Sequence, residues 1–197
     1  MIEKFKRSKL LKYVCLDPGH QKMYNALARE RAIAATIGFG AFGVLTASTM
    51  VHNWSVAWPL VLFYAVLVAD TYFSVRVFSN ITPEGNSEQR TIDFIIVLTY
   101  LSLATQFEHP LGFALIATLL FLECIVKYKI LANIAPKHKA FLRKKIILDW
   151  LGALFCTIAV LGVAMNYSHI TTVLFASINA VANVYLLAIK PFYVLKG

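Results

Sequence analysis

The sequence predicts an all-α integral membrane protein with six transmembrane helices arranged as three helical hairpins, N-in and C-in. Three observations predict it. The 197 residues are 59% hydrophobic and only 15% charged, against about 25% charged in an ordinary soluble domain. Six apolar stretches approach the ~20 residues that cross ~30 Å of hydrocarbon as a helix. All 19 Lys and Arg residues fall on alternate connections, the asymmetry that retains basic loops on the cytoplasmic side.

Residues 1–31 form a basic cytoplasmic segment with eight Lys or Arg side chains, Lys4 to Arg31. Its start, MIEKFKRSKLLKYV, mixes basic and apolar residues and suits an interfacial helix. A charged lead of about 30 residues that includes Glu3, Asp17 and Glu30 is unlike a cleavable signal, so the first span is expected to stay in the mature protein.

The transmembrane bundle covers residues 32–190. Its first hairpin is Ala32 to Val51 and Trp54 to Val75, joined by His52 and Asn53. Gly38-Phe-Gly40-Ala-Phe-Gly43 matches G-x-G-x-x-G by letter, yet it lies inside a span with no strand before it. The small residues Ala34, Gly38, Gly43 and Ala47 instead predict close approach of another helix. The loop from Phe78 to Arg90 is rich in turn residues and reads as the linker between hairpins.

The second hairpin is Thr91 to Phe107 and Pro110 to Val126; the third is Ile146 to Met165 and Ile170 to Ile189. Between them KHKAFLRKK carries the cytoplasmic basic cluster Lys137, Lys139, Arg143, Lys144 and Lys145, placed to meet anionic lipid headgroups. Residues 191–197 form a short cytoplasmic tail. Trp54 and Trp58 on one side, and Tyr128, Trp150, Phe192 and Tyr193 on the other, suit the two interfacial belts.

Ionisable and amide side chains inside the spans are the candidate functional residues, because a charge in lipid must face the bundle interior, a cavity or a partner. Asp70, Glu123 and Asn183 sit at similar depth on the second helix of each hairpin, a pattern that suggests three diverged copies of one unit. Lys127 stands one helical turn after Glu123 and predicts an i,i+4 ion pair. Asp70 has no cation within one turn on its own helix. Thr99, Ser102 and Gln106 form one polar stripe, and Asn179 and Asn183 another, both expected to turn inward as a solute pathway or as interhelical hydrogen bonds. Asp93 and Asp149 enter their spans where carboxylates also serve helix N-termini.

His52, His109 and His169 fall on the three outer turns without paired ligand spacing, so no metal site is predicted. His20 and His138 read as loop residues beside prolines. Cys15, Cys124 and Cys156 have no C-x-x-C spacing and read as free thiols. The sequons at Asn53, Asn80 and Asn166 hug the membrane and read as chance matches.

Three function classes follow. The first is a transporter or channel-like protein for a small polar or cationic solute, with Asp70 and Glu123 attracting charge and the amides supplying hydrogen bonds. The alternative is a structural or assembly subunit of a larger membrane complex, with a homo-oligomer or other membrane subunits as partners. A lipid-modifying enzyme ranks third, because no nucleophile motif accompanies the carboxylates. The net charge of +9 is accounted for by retention of loops and contact with anionic lipid, so nucleic acid is not expected as a partner. The residues leave any cofactor undetermined. The expected location is the cell (inner) membrane, with an organellar membrane as the alternative.

Overall fold

A computed structural model of the protein describes residues 18–82, 86–189 and 192–193, with side chains from residue 27 onward. The expected interfacial helix at 1–14 and Cys15 lie outside these residues. The described regular structure is entirely helical: α1 (Pro18–Met50), α2 (Trp54–Ile81), α3 (Ser87–Ala104), α4 (Pro110–Ile134), α5 (Lys139–Ala164) and α6 (Ser168–Val184). A 3₁₀ turn, Pro136–His138, precedes α5, and a π-helical turn, Tyr185–Ile189, continues α6.

Five helical segments are long and apolar enough to cross a membrane: Leu27–Met50, Trp54–Ile81, Pro110–Ile134, Pro136–Ala164 and Ser168–Ile189. The expected third span differs. Its helix, α3, has 18 residues and ends at Ala104, and Glu88, Arg90 and Asp93 in its first two turns lower its apolar content.

Local chemistry sets the helix starts. The Asn53 side chain accepts the Ser55 backbone N–H at 3.2 Å ahead of α2, and Asn86 accepts that of Gln89 at 2.9 Å ahead of α3; each satisfies a donor that a helix N-terminus leaves orphaned. Pro110 opens α4, where its missing N–H costs nothing. Asn166, with φ 67°, stops α5. The Tyr167 N–H reaches back to the Gly162 carbonyl and the Asn166 N–H to that of Val163, both at 3.0 Å, as a left-handed residue permits.

At the basic end the helices run beyond the apolar windows. α1 begins at Pro18, so His20 lies in helix and not in a loop; α2 continues to Ile81, α4 to Ile134, and α5 starts at Lys139. Charged residues sustain helix where the chain leaves hydrocarbon, because backbone hydrogen bonding does not depend on side-chain polarity. Asp149 therefore stands ten residues inside α5 and Asp93 in the second turn of α3, correcting the reading of both as helix-start carboxylates.

α1 packs on α2, α3 on α4, α4 on α5, and α6 on both α2 and α5. Away from the basic end lies an aromatic core: Phe63 stacks on Phe175 at 4.2 Å and meets Phe113 edge-on at 5.6 Å, and Tyr64 meets Phe107 at 5.5 Å. A second cluster, Phe78, Tyr128, Leu131 and Leu142, closes the basic end between α2, α4 and α5. Apolar side chains such as Val44, Phe94, Ile147, Leu154 and Leu161 point outward, the arrangement suited to a lipid surround.

Only part of the glycine cluster makes the close contact expected of it. A Cβ on Gly43 would lie 2.5 Å from Tyr64 Cε1, whereas Gly38 has nothing within 4 Å and Gly40 only Val68 Cγ1 at 4.0 Å. α4 and α5 approach closely at Gly152, where a Cβ would stand 2.5 Å from Phe121 Cε1.

Candidate functional site

A cavity of about 520 Å³ occupies the half of the bundle nearer the basic residues. Phe39, Leu67, Tyr100 and Leu120 line its floor, where it abuts the aromatic core. Phe39 stacks on Tyr100 at 4.5 Å, and the Tyr100 and Thr71 hydroxyls meet at 2.6 Å. Asp70 lies just above the floor; on the walls are Ser74, Asp93, Cys124, Lys127, Tyr128, Lys145 and Asp149, and around the mouth Arg31, Asn86, Gln89 and Arg90.

The charges occupy distinct levels. Near the floor Asp70 accepts the Tyr193 hydroxyl on Oδ2 at 3.0 Å. Lys145 Nζ binds Asp149 Oδ1 at 2.8 Å and lies 5.6 Å from the Tyr128 ring centre and 5.9 Å from that of Tyr193. Asp70 and Lys145 thus address the same tyrosine, and Asp70 lies within electrostatic reach of both members of the ion pair. The ammonium contacts Asp149 directly, and Asp70 connects to it through Tyr193. The second oxygen of Asp149, a residue 1% exposed, has no hydrogen-bond partner among the described residues. Between α3 and α4 Lys127 Nζ holds Asp93 Oδ1 at 2.6 Å.

The predicted Glu123–Lys127 pair is not made. Glu123 Oε1 accepts the Thr99 hydroxyl at 2.9 Å, and Lys127 turns to Asp93. Both residues face α3, and each finds its partner there; an interhelical bond satisfies groups on two helices at once. Lys145 leaves the cytoplasmic cluster assigned to it: Lys137, Lys139, Arg143 and Lys144 are exposed, but Lys145 is buried against Asp149. Tyr193 likewise folds back onto α2 instead of remaining in a free tail.

The other sequence-predicted residues lie apart from the cavity. Ser102 is exposed on α3, and Gln106 sits in the turn after it, its Nε2 3.2 Å from Thr105 Oγ1. Asn179 donates to the Phe63 carbonyl at 3.4 Å, joining α6 to α2, and Asn183 donates to Asn179 at 3.0 Å. Thr99 and Glu123 bridge α3 and α4. Asp70 is the member of that set that lines the cavity.

The pairing of Lys145 with Asp149, and the place of Gln89, were not foreseen. Lys145 and Asp149, assigned to the basic cluster and to a helix start, stand at i,i+4 in KIILD, a spacing that marks an ion pair. Gln89, three residues after its capping Asn86, is 2% exposed with neither amide atom hydrogen-bonded among the described residues.

At the far end Glu108 joins two turns. Its Oε1 accepts the backbone N–H groups of His52 and Asn53, and Oε2 lies 3.7 Å from His52 Nδ1. The hydrogen bond from Asn53, then that from His52, holds the carboxyl below the ordinary glutamate range. Cys124 and Cys156 are free thiols. No group of three or more His, Cys, Asp or Glu among the described residues is placed to hold a metal.

No protein-family model, curated protein or solved structure matches this chain.

Proposed function

We propose that this chain is a membrane carrier that admits a small solute with a cationic group to the cavity at its basic end. In this reading α3 completes six spans in three hairpins, and both termini and the basic connections face the cytoplasm of a cell membrane. The observation that carries the proposal is the buried Lys145–Asp149 pair and Asp70, which meet at Tyr193 in a cavity closed at its floor by aromatic packing. A carboxylate in lipid costs at least ~2.5 kcal/mol unless it meets a partner, and the cluster holds one more acid than base. An incoming ammonium compensates that charge.

The solute enters past Arg31 and Arg90 and exchanges with the Tyr193 hydroxyl at Asp70. The packed rings of Phe63, Phe107, Phe113 and Phe175 keep water from passing through. Release on the other side then requires the hairpins to rock and part these rings, as repeat units do in alternating access.

The test uses purified protein in vesicles loaded with a defined mixture of small amines and other polar metabolites, with released compounds read by mass spectrometry. At least one amine should leave faster than from protein-free vesicles, and Asp70→Asn should abolish the difference. Equal release of every compound, with other chains copurifying, would select the assembly-subunit reading. For orientation, cysteines at Asn53 and Ser168 should react with an impermeant reagent outside intact cells and one at Ser87 should not; labelling at Ser87 would reverse the topology.

A further inference from the structure

We infer that the solute is a zwitterion whose ammonium leads into the cavity and whose phosphate stays at the mouth. The inference rests on the cavity being a ligand site as proposed above, and adds the opposite charge at its other end.

Depth along the helices orders the charges. Asp70 adjoins Thr71, whose hydroxyl touches Tyr100 on the floor. Arg90 stands ten residues before Tyr100 on α3, and Arg31 eight residues before Phe39 on α1; at 1.5 Å per residue the backbone positions of both arginines are therefore about 12–15 Å above the floor, a span shortened by the long side chains that line the cavity. Both line the cavity, and neither forms an ion pair among the described residues. The Asp93–Lys127 pair between these levels is internally neutral. The field along the axis is negative at depth and positive at the entrance. A simple cation meets repulsion at that entrance, and a simple anion meets it at the floor. A zwitterion meets attraction at both.

Gln89 supplies the second, independent observation. Its buried amide, with donor and acceptor both unsatisfied among the described residues, lines the same cavity beside Arg90. A buried amide without partners is costly, and an incoming group that accepts from Nε2 and donates to Oε1, directly or through a bridging water, relieves it. The forked geometry of arginine suits phosphate oxygens. The deeper end matches in kind: the unpartnered Asp149 Oδ2 needs a donor, which an ammonium provides.

The experiment measures binding by the purified full chain, using four probes: glycerophosphoethanolamine as free zwitterion, ethanolamine as cation, glycerol phosphate as anion, and lysophosphatidylethanolamine as the same headgroup on a lipid. One of the two zwitterions should bind at least tenfold more tightly than ethanolamine. Arg31→Ala with Arg90→Ala should remove that preference while ethanolamine binds as well or better, because positive charge leaves the entrance; both arginines are exposed and form no ion pair among the described residues. Gln89→Leu should weaken the zwitterion severalfold and leave ethanolamine unchanged. Preference for the free compound identifies a soluble solute; preference for the lysolipid identifies a headgroup; either supports the zwitterion. Equal affinity for ethanolamine and both zwitterions, or no loss on removing both arginines, overturns this inference and leaves the cation carrier standing. Failure of all four probes to bind overturns both.

Discussion

Replacing Asp149 by Asn removes one charge from the cavity with almost no change of shape, so its effect reports the energetics of the buried pair. Lys145 and Asp149 are 8% and 1% exposed and 2.8 Å apart. Breaking such a pair by removing one partner generally costs about 3–5 kcal/mol, because the remaining charge stays buried. Two features reduce the loss here. The Tyr128 and Tyr193 rings flank the ammonium, and cation–π contacts are worth about 0.5–2 kcal/mol; Asp70 also remains within reach. The expected net loss is therefore about 2 kcal/mol, which for 150–250 residues corresponds to a fall in Tm of roughly 4–8 °C. Thermal unfolding in detergent followed by tryptophan fluorescence at a fixed scan rate measures it. The double variant Lys145→Met with Asp149→Leu should recover most of the loss, since an apolar pair replaces the ions without stranding a charge. A fall below about 1 °C in the single variant, at a scale of 2–4 °C per kcal/mol, would refute the buried pair and return Lys145 to the surface cluster.

The glycines should divide by position: Gly43→Ala should lower stability by about 1–3 kcal/mol through overpacking on Tyr64, while Gly38→Ala, with open space around it, should be neutral or slightly stabilising in the same unfolding assay. Glu108 has its folded pKa depressed by the His52 and Asn53 N–H groups, so its contribution is present above the ordinary glutamate value and is lost as pH falls through the lowered folded value. Glu108→Gln should accordingly remove part of the acid-induced drop in Tm below about pH 4.5; an unchanged acid profile would refute the link between turns. Glu123→Gln should leave thermal stability within about 1 kcal/mol, because the amide oxygen still accepts from Thr99. Asp93→Asn should cost more, since it strands Lys127; the reverse ranking would reinstate the Glu123–Lys127 pair.

Much of the framework was legible locally. The α2 and α4 starts follow from Asn53 and Pro110, and the inward orientation of Asp70 follows from the cost of a carboxylate in lipid. Helix ends were less legible, because apolar windows mark where hydrocarbon ends, while α2 and α4 continue past it through Arg76 and Lys129. The polar stripes were sorted only by packing. Thr99 faces α4, but Ser102, three residues later, is exposed, since a rotation of a few tens of degrees about the helix axis decides which edge of a stripe turns inward. Gln89 was hidden by its position: a glutamine in a first turn ordinarily meets water, and nothing nearby in sequence signals that other helices bury it.

The sequence by itself determined the apolar surround, the helical class and the separation of basic from non-basic connections, because each is a sum over neighbouring residues. Only the tertiary structure decided that Lys127 binds Asp93, that Lys145 retires to Asp149, that Tyr193 returns to Asp70, and that these groups share one cavity with Arg31 and Arg90. Those pairings join residues on different helices or compete with nearer partners. Their outcome depends on which helix faces meet, and that is set by the packing of the whole bundle.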